Sequence, residues 1–231
     1  MNRKVRIIIV GLIVIGLALT AGPWTYINLI KDDAPEALNI SPSDSTEESK
    51  TSEASISNVN GDWKVVPNTD SVVGYRVKEV LFGQVTEGVG RTKDVEATLV
   101  ISNNEVTQGS FTVQMGTITS DAGKRDNQFN GRIMDVGNFP TATFSLSKSI
   151  PLPSNALSGD VISASATGEL TLRGVTKTIT FPIDAQVQGS TFTVVGNIKI
   201  VFDEWSIPAP GVPGITVEPD GLLEFSLVFT Q

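Results

Sequence analysis

Hydrophobic and polar residues alternate with period two through most of the chain after residue 61. Such alternation is typical of β-strands with one buried face. Short connections with turn residues such as Asn103 and Gly174 separate the alternating runs, and no long helical crossover lies between them. The strands are therefore expected to pair antiparallel. The predicted strands span residues 63–67, 71–80, 85–92, 94–102, 105–118, 141–150, 161–174, 175–187, 190–202 and 221–230.

The apolar face of these strands must be buried in the folded protein. In residues 190–202, Phe192 and Ile200 share one face, while Thr191 and Lys199 lie on the other. Strands of this kind stack as a sandwich or close into a barrel, and a barrel of about eight strands is filled by side chains or holds one small ligand. The pattern leaves both interiors open. Glycines inside strands predict bulges or sharp coiling, which favours a barrel. These glycines are Gly74, Gly88, Gly90, Gly168 and Gly196.

Residues 120–144 interrupt the strands. Apolar residues recur there at spacings near three and four, from Phe129 to Phe139, which predicts one or two short helical turns. Asp126 is predicted to be the helix N-cap, and Pro140 to end the turns before the next strand. We interpret this insert as a lid, a plug or a cap on one end of a barrel. Its charged residues are Asp121, Lys124, Arg125, Asp126, Arg132 and Asp135.

The first thirty residues predict a membrane anchor. Residues 7–30 carry no charge, and as a helix they would extend about 36 Å, enough to cross a bilayer core of about 30 Å. Arg3, Lys4 and Arg6 precede this run, so the positive-inside rule places the N-terminus in the cytoplasm and the rest of the chain outside. A cleaved signal peptide is the alternative, but its apolar core usually spans only about 7–15 residues. We therefore predict a single-pass protein of the cell membrane.

Residues 31–60 are rich in Ser, Thr, Glu and Asp. Such a stretch buries too little apolar surface to offset the entropy lost on ordering, so it is predicted to be a disordered extracytoplasmic linker. A phosphorylated or glycosylated regulatory tail is the alternative. The predicted organisation is a cytoplasmic N-terminus with the anchor over 1–30, the linker over 31–60 and a β domain over 61–231.

Composition removes several function classes. The net charge of −8 comes without any cluster of Lys and Arg, which argues against a nucleic-acid partner. The absence of both Cys and His removes disulfides, thiolate or imidazole metal sites and the usual serine triad. Paired carboxylates such as Asp121 and Asp126 can act in acid–base catalysis, but a turn fixed by an Arg–carboxylate pair is the simpler interpretation. We expect no enzymatic activity, no metal and no cofactor, and nothing in the sequence identifies a protein partner.

Five stretches carry a family resemblance: SVVGYRVKE (71–79), VGRTKDVEATLVI (89–101), SDAGKRDNQFNGRIMDVGNFPTATF (120–144), TGELTLRGVTKTITFPI (167–183) and FDEWSIPAP (202–210). Together, in order and with compatible spacing, they resemble the YceI-like family of extracytoplasmic proteins, in the form of its membrane-anchored actinobacterial members. The resemblance covers essentially all of residues 62–231. The chain departs from many members of the family at Lys78 and Arg173, where those members carry histidine.

The resemblance implies a lipocalin-like antiparallel β-barrel with a short helical insert, whose apolar lumen binds a long-chain isoprenoid or other amphiphile without catalysis. Arg125 and Arg132 then become candidate contacts of a polar head group. The alternative is a structural or interaction module of the cell envelope with a filled core. The candidate lipid-binding residues are Phe111, Met115, Phe144, Leu146, Phe181, Phe192, Ile198, Phe202 and Phe225.

Overall fold

The computed structural model describes residues 34–40, 58–65, 70–81, 83–211 and 214–231. The predicted anchor over residues 7–30 and most of the predicted linker lie outside these residues. Within the described ranges, no helix has the length and hydrophobicity of a membrane span.

Thirteen strands form one antiparallel sheet in the described part of the chain, as the alternation predicts. They are β1 (Gly61–Val65), β2 (Val72–Leu81), β3 (Gln84–Thr92), β4 (Val95–Ser102), β5 (Glu105–Gln114), β6 (Thr119–Ser120), β7 (Thr141–Leu146), β8 (Ile150–Pro151), β9 (Ile162–Leu172), β10 (Val175–Gln188), β11 (Thr191–Val201), β12 (Ile215–Val217) and β13 (Asp220–Thr230).

The sheet closes into an eight-stranded barrel. The ring of hydrogen-bonded neighbours runs β1–β4–β5–β7–β9–β10–β11–β13 and returns to β1. β13 pairs with β2 through residues 222–226 and with β1 through residues 229–230, so β1 and β2 follow one another along the same edge of β13. The predicted antiparallel barrel is therefore confirmed.

Strand periodicity places the apolar side chains inside the barrel. In β11, Phe192, Ile198 and Ile200 are buried, whereas Asn197 and Lys199 are exposed. Some strand ends differ from the prediction because short 3₁₀ turns replace them. Met115–Thr117 follows β5, and Phe202–Trp205 follows β11.

The insert contains the predicted helical turns. A short helix, α1 (Gly123–Gln128), continues into a π-helical turn over Phe129–Ile133. The N-cap prediction for Asp126 is wrong, because Ala122 occupies that position. Asp126 lies in the first turn, and its Oδ1 accepts hydrogen bonds from the Ser120 backbone N–H at 2.9 Å and from the Ser120 hydroxyl at 2.6 Å. The carboxylate thus ties the helix to the end of β6.

Residues 34–40 lie against the outside of the barrel, which differs from the predicted disordered linker. Arg76 Nη2 donates a hydrogen bond to the Pro35 carbonyl at 2.6 Å, and Arg91 Nη2 donates one to the Glu36 carbonyl. Backbone carbonyls hold this stretch, so its low content of large apolar side chains does not prevent it from being ordered.

Candidate functional site

The end of the barrel that carries the insert contains a cavity of about 600 Å³. This volume falls in the range of about 300–1,000 Å³ that is usual for small-molecule pockets. Exposed lining residues of the insert, among them Asp121, Gly123 and Lys124, mark the mouth of the cavity. We call this part of the interior the insert half. Its apolar lining includes Val73, Met115, Phe129, Met134, Ile200 and Phe202.

The opposite part of the interior, which we call the aromatic half, contains a void of only about 70 Å³. Its phenylalanine rings pack face-on and edge-on at centroid distances between 5.3 Å and 6.0 Å, which is the usual range for aromatic pairs. The four rings belong to Phe111, Phe144, Phe181 and Phe225. They form a packed layer beyond the insert half.

On β5 and β13 the boundary between the halves is crossed within one inward-facing residue. On β13, Leu223 lines the large cavity and Phe225 the small void. On β5 the same step separates Val113 from Phe111. The cavity therefore involves only the ends of these two strands that lie nearest the insert.

The structure divides the predicted lipid-binding set. Met115 and Phe202 line the large cavity. Ile198 is buried, but it lines neither space. The other six surround the void of about 70 Å³, which is much smaller than the cavity; they are Phe111, Phe144, Leu146, Phe181, Phe192 and Phe225.

Arg125 of α1 is the central charged group at the mouth. Its Nη2 lies 2.9 Å from Oε1 of Glu79 on β2, and its Nη1 also pairs with Asp121. Burial disfavours its charge, but attraction to Glu79 and then to Asp121 prevails, so the pKa of Arg125 is raised. The guanidinium therefore stays charged and pins the insert to the barrel wall, as the predicted Arg–carboxylate pair requires.

Tyr75 lies beside this ion pair. Its ring stacks on Phe129 of the insert, with centroids 4.9 Å apart and an interplanar angle of 17°. Burial raises the pKa of the Tyr75 phenol to about 12. The hydroxyl therefore remains a neutral hydrogen-bonding group within the cavity lining at physiological pH.

The remaining predicted polar residues do not converge on the cavity. Arg132 Nη2 donates to the Ala209 carbonyl at 2.8 Å, outside the cavity lining. Arg173 Nε donates to the Ile133 carbonyl at 2.7 Å and fixes the end of the insert. Both oxygens of the Asp135 carboxylate accept hydrogen bonds from the Asn138 side-chain amide. The carboxylates of the insert thus have separate local partners and do not form an acid–base pair.

Sequence reasoning missed the contribution of β2. Alternate residues of this strand line the cavity, and two of them, Tyr75 and Glu79, bring polar groups to its lining. Period-two alternation from Val73 to Leu81 could have indicated that one face of β2 points into the barrel. The acidic residue Glu79 lies on that face and interrupts the apolar pattern.

Comparison with known proteins gives a consistent result. A family model described as the YceI-like domain matches residues 63–229. The chain is similar to a solved polyisoprenoid-binding domain from Saccharophagus degradans, with 12% identity over 73% of this chain and 97% of that one and a TM-score of 0.57. It is also similar to BcnA from Burkholderia cenocepacia, with 21% identity over 67% of this chain and 95% of that one and a TM-score of 0.51. At these identities the two structures show a shared fold. No curated protein matches the chain.

Proposed function

Because the chain belongs to the YceI-like domain family, we propose that it binds a long-chain isoprenoid or a similar amphiphile, with part of the apolar tail in the cavity of the insert half. The observation that carries this proposal is the cavity of about 600 Å³ with its largely apolar lining. The ligand class is supported by the similar domain from Saccharophagus degradans, which is described as polyisoprenoid-binding.

The charges at the mouth favour a ligand with an uncharged polar head group. The charged residues that line the cavity are two acids, Glu79 and Asp121, and two bases, Lys124 and Arg125. Their formal charges cancel, and both acids are paired with Arg125. A phosphate would have to compete with these carboxylates for the guanidinium. A hydroxyl or carbonyl head group can instead hydrogen-bond to Tyr75 or to a remaining N–H of Arg125.

The proposed role is binding without catalysis. Both carboxylates of the mouth are paired with Arg125. Among the described residues that line the cavity, Tyr75 carries the one hydroxyl, and its pKa is raised to about 12. We further propose that the predicted helix over 7–30 tethers the barrel to the outer face of the cell membrane.

Native mass spectrometry of the full chain purified from its own membranes tests the ligand proposal. We expect one amphiphile bound to each protein molecule. Ile200→Trp, which places a large ring in the cavity, should remove most of this ligand. Lys199→Trp is the matched control, because the neighbouring side chain points outward from the same strand. Full occupancy of Ile200→Trp, or wild-type protein without any lipid, would contradict the proposed site.

Protease added to intact cells tests the tether. Cleavage within residues 41–57 should convert the full chain into a shorter barrel fragment on a denaturing gel, because this stretch would lie outside the cytoplasm. A mature protein whose N-terminus begins after residue 20 would instead identify a cleaved signal peptide.

A further inference from the structure

A group of buried charges lies on the outer face of the barrel, away from the cavity. Glu224 of β13 is completely buried, although it points outward. Its Oε2 lies 3.1 Å from Arg76 Nε, and its Oε1 lies 2.8 Å from Arg91 Nε. Arg76 Nη1 also pairs with Glu87 at 2.6 Å. A buried carboxylate is costly unless it is paired in this way. We call these four residues the arginine clamp.

The clamp holds residues 34–40, which we call the docked segment. After pairing with Glu224, each guanidinium still has N–H groups available, and these donate to the carbonyls of Pro35 and Glu36. Bonds to backbone carbonyls fix an extended segment whatever its side chains are. The position of the docked segment is therefore set by the barrel.

The N-terminal end of the docked segment lies nearer the mouth of the cavity than its C-terminal end. Glu36 contacts Arg91, near the end of β3, whereas Pro35 contacts Arg76. Arg76 pairs with Val89, which is closer to the β2–β3 hairpin. Ala34 and Pro35 then border a surface cavity together with Ser120 and Asp121, at the start of the insert. The chain thus reaches the barrel beside the mouth.

This arrangement shortens the tether to the membrane. Three residues separate the end of the predicted anchor at Ile30 from Ala34, and the four Cα-to-Cα steps span at most about 14 Å. A linker free over all of residues 31–60 would reach about 100 Å.

Beyond Glu79, where the insert is held, the β2–β3 hairpin carries two exposed apolar side chains, Val80 at 36% and Val85 at 79% exposure. These side chains are suited to contact with lipid.

We infer that the docked segment holds the barrel with its mouth and the β2–β3 hairpin against the bilayer, so that an amphiphile passes between membrane and cavity without crossing bulk water. The partner of this surface is the lipid bilayer itself. The inference rests on the membrane anchor and ligand cavity of the proposed function.

Insertions on the two sides of the docked segment test the inference in the full chain. The protein has no cysteine, so Val85→Cys accepts a single donor fluorophore, and vesicles of phosphatidylethanolamine and phosphatidylglycerol carry an acceptor on their head groups. Inserting about ten Gly and Ser residues between Asp33 and Ala34 lengthens the tether by up to about 35 Å and should lower energy transfer at least about twofold. The same insertion between residues 45 and 46 is the matched control and should leave transfer unchanged.

A second variant tests the clamp directly. Arg76→Lys with Arg91→Lys keeps the charges beside Glu224 but removes the planar fork that reaches the carbonyls, so energy transfer should fall as it does for the first insertion. Equal transfer for both insertions and the wild type overturns the inference, even if native mass spectrometry of the same sample finds a bound lipid. A chain that does not remain with the vesicles, or that carries no lipid, overturns the proposed function.

Discussion

The two halves of the barrel interior share strands β5, β7, β9, β11 and β13 but are packed differently. In the aromatic half, each of four phenylalanine rings packs within 6.0 Å of two others, and about 70 Å³ of space is left. In the insert half, the shared strands, together with β2, β12 and the insert, surround about 600 Å³. Period-two alternation determines which side chains point inward. It does not determine whether those side chains meet.

Two structural differences account for the contrast. In the aromatic half, Gly168 and Gly196 lie under phenylalanine rings, so closely that a Cβ at either position would come within 2.5 Å of Phe144 or Phe225. The missing side chains let the rings lie flat across the interior. In the insert half, pairing between β5 and β7 ends at Gln114 and Thr141, and the insert replaces the strands as the wall. A wall made of short helical turns encloses space that paired strands would have filled.

The two halves should differ most in the loss of unfolding free energy when one phenylalanine in each is truncated to alanine. Phe144→Ala leaves a void in a packed layer and should lower the free energy of unfolding by about 3–5 kcal/mol. Phe129→Ala is the comparison, because Phe129 is also buried but already borders the large cavity. Its cost should be below about 3 kcal/mol, since fewer contacts are lost. Urea unfolding of both variants measures the difference.

Equal costs for the two variants would contradict the comparison. They would mean that the insert half closes around its side chains in solution and that the cavity is not maintained without ligand.

Adding a methyl group should destabilise the protein in the aromatic half but not in the insert half. Gly196→Ala places a Cβ 2.5 Å from the Phe225 ring, and overpacking of this kind costs about 1–3 kcal/mol. Gly123→Ala is the control, because a Cβ there meets nothing within 4 Å. In a helix, alanine is more favourable than glycine by up to about 1 kcal/mol, so this variant should be stabilised. A neutral Gly196→Ala would show that the aromatic layer is loosely packed.

The sequence predicted the antiparallel strands and the helical insert from periodicity and turn residues, and the family resemblance implied the lipocalin-like barrel. Of the bulges or sharp coiling predicted at the glycines inside strands, no bulge occurs at Gly168 or Gly196. The pairing of β9 with β10 continues through Gly168, and that of β11 with β13 through Gly196, without a register shift, and both glycines accommodate aromatic rings. Which glycine serves which purpose depends on the partner strand, and one sequence does not show that partner.

The site was less predictable than the fold. The family resemblance pointed to the phenylalanines as lipid-binding residues, but aromatic rings also pack well on each other, and four of the nine predicted residues do so. The docked segment was hidden for a different reason. Its composition is that of a linker, and the groups that hold it are Arg76 and Arg91, which lie far from it in sequence.

Asp126 helps to hold the insert that forms this wall, so replacing Asp126 should lower the stability of the protein moderately. Asp126→Ala loses the hydrogen bonds from the Ser120 backbone and hydroxyl and should lower the free energy of unfolding by about 1–2 kcal/mol. Glu96→Ala, at an exposed position of β4, is the control and should change stability by less than about 0.5 kcal/mol. Thermal unfolding of both variants, followed by circular dichroism, provides the measurement. A wild-type midpoint for Asp126→Ala would show that the other contacts of the insert, those of Arg125 and Arg173 among them, are sufficient to hold it.

Tyr75 should affect the pH dependence of stability only in the alkaline range. Burial raises the pKa of its phenol from 10.0 to about 12 in the folded protein. Between these values the unfolded chain loses the proton while the folded chain keeps it, so the stability contributed by the neutral phenol is fully present below pH 10 and is lost as the pH rises toward 12. Tyr75→Phe lacks this dependence, and the stability difference between the two proteins should change in that window and be constant below it. Urea unfolding at stepped pH, combined with the ultraviolet absorbance of the phenolate, measures both quantities. A Tyr75 absorbance step near pH 10 would show that water fills this part of the cavity and exchanges freely with solvent, which would reduce the contrast between the two halves to one of side-chain packing alone.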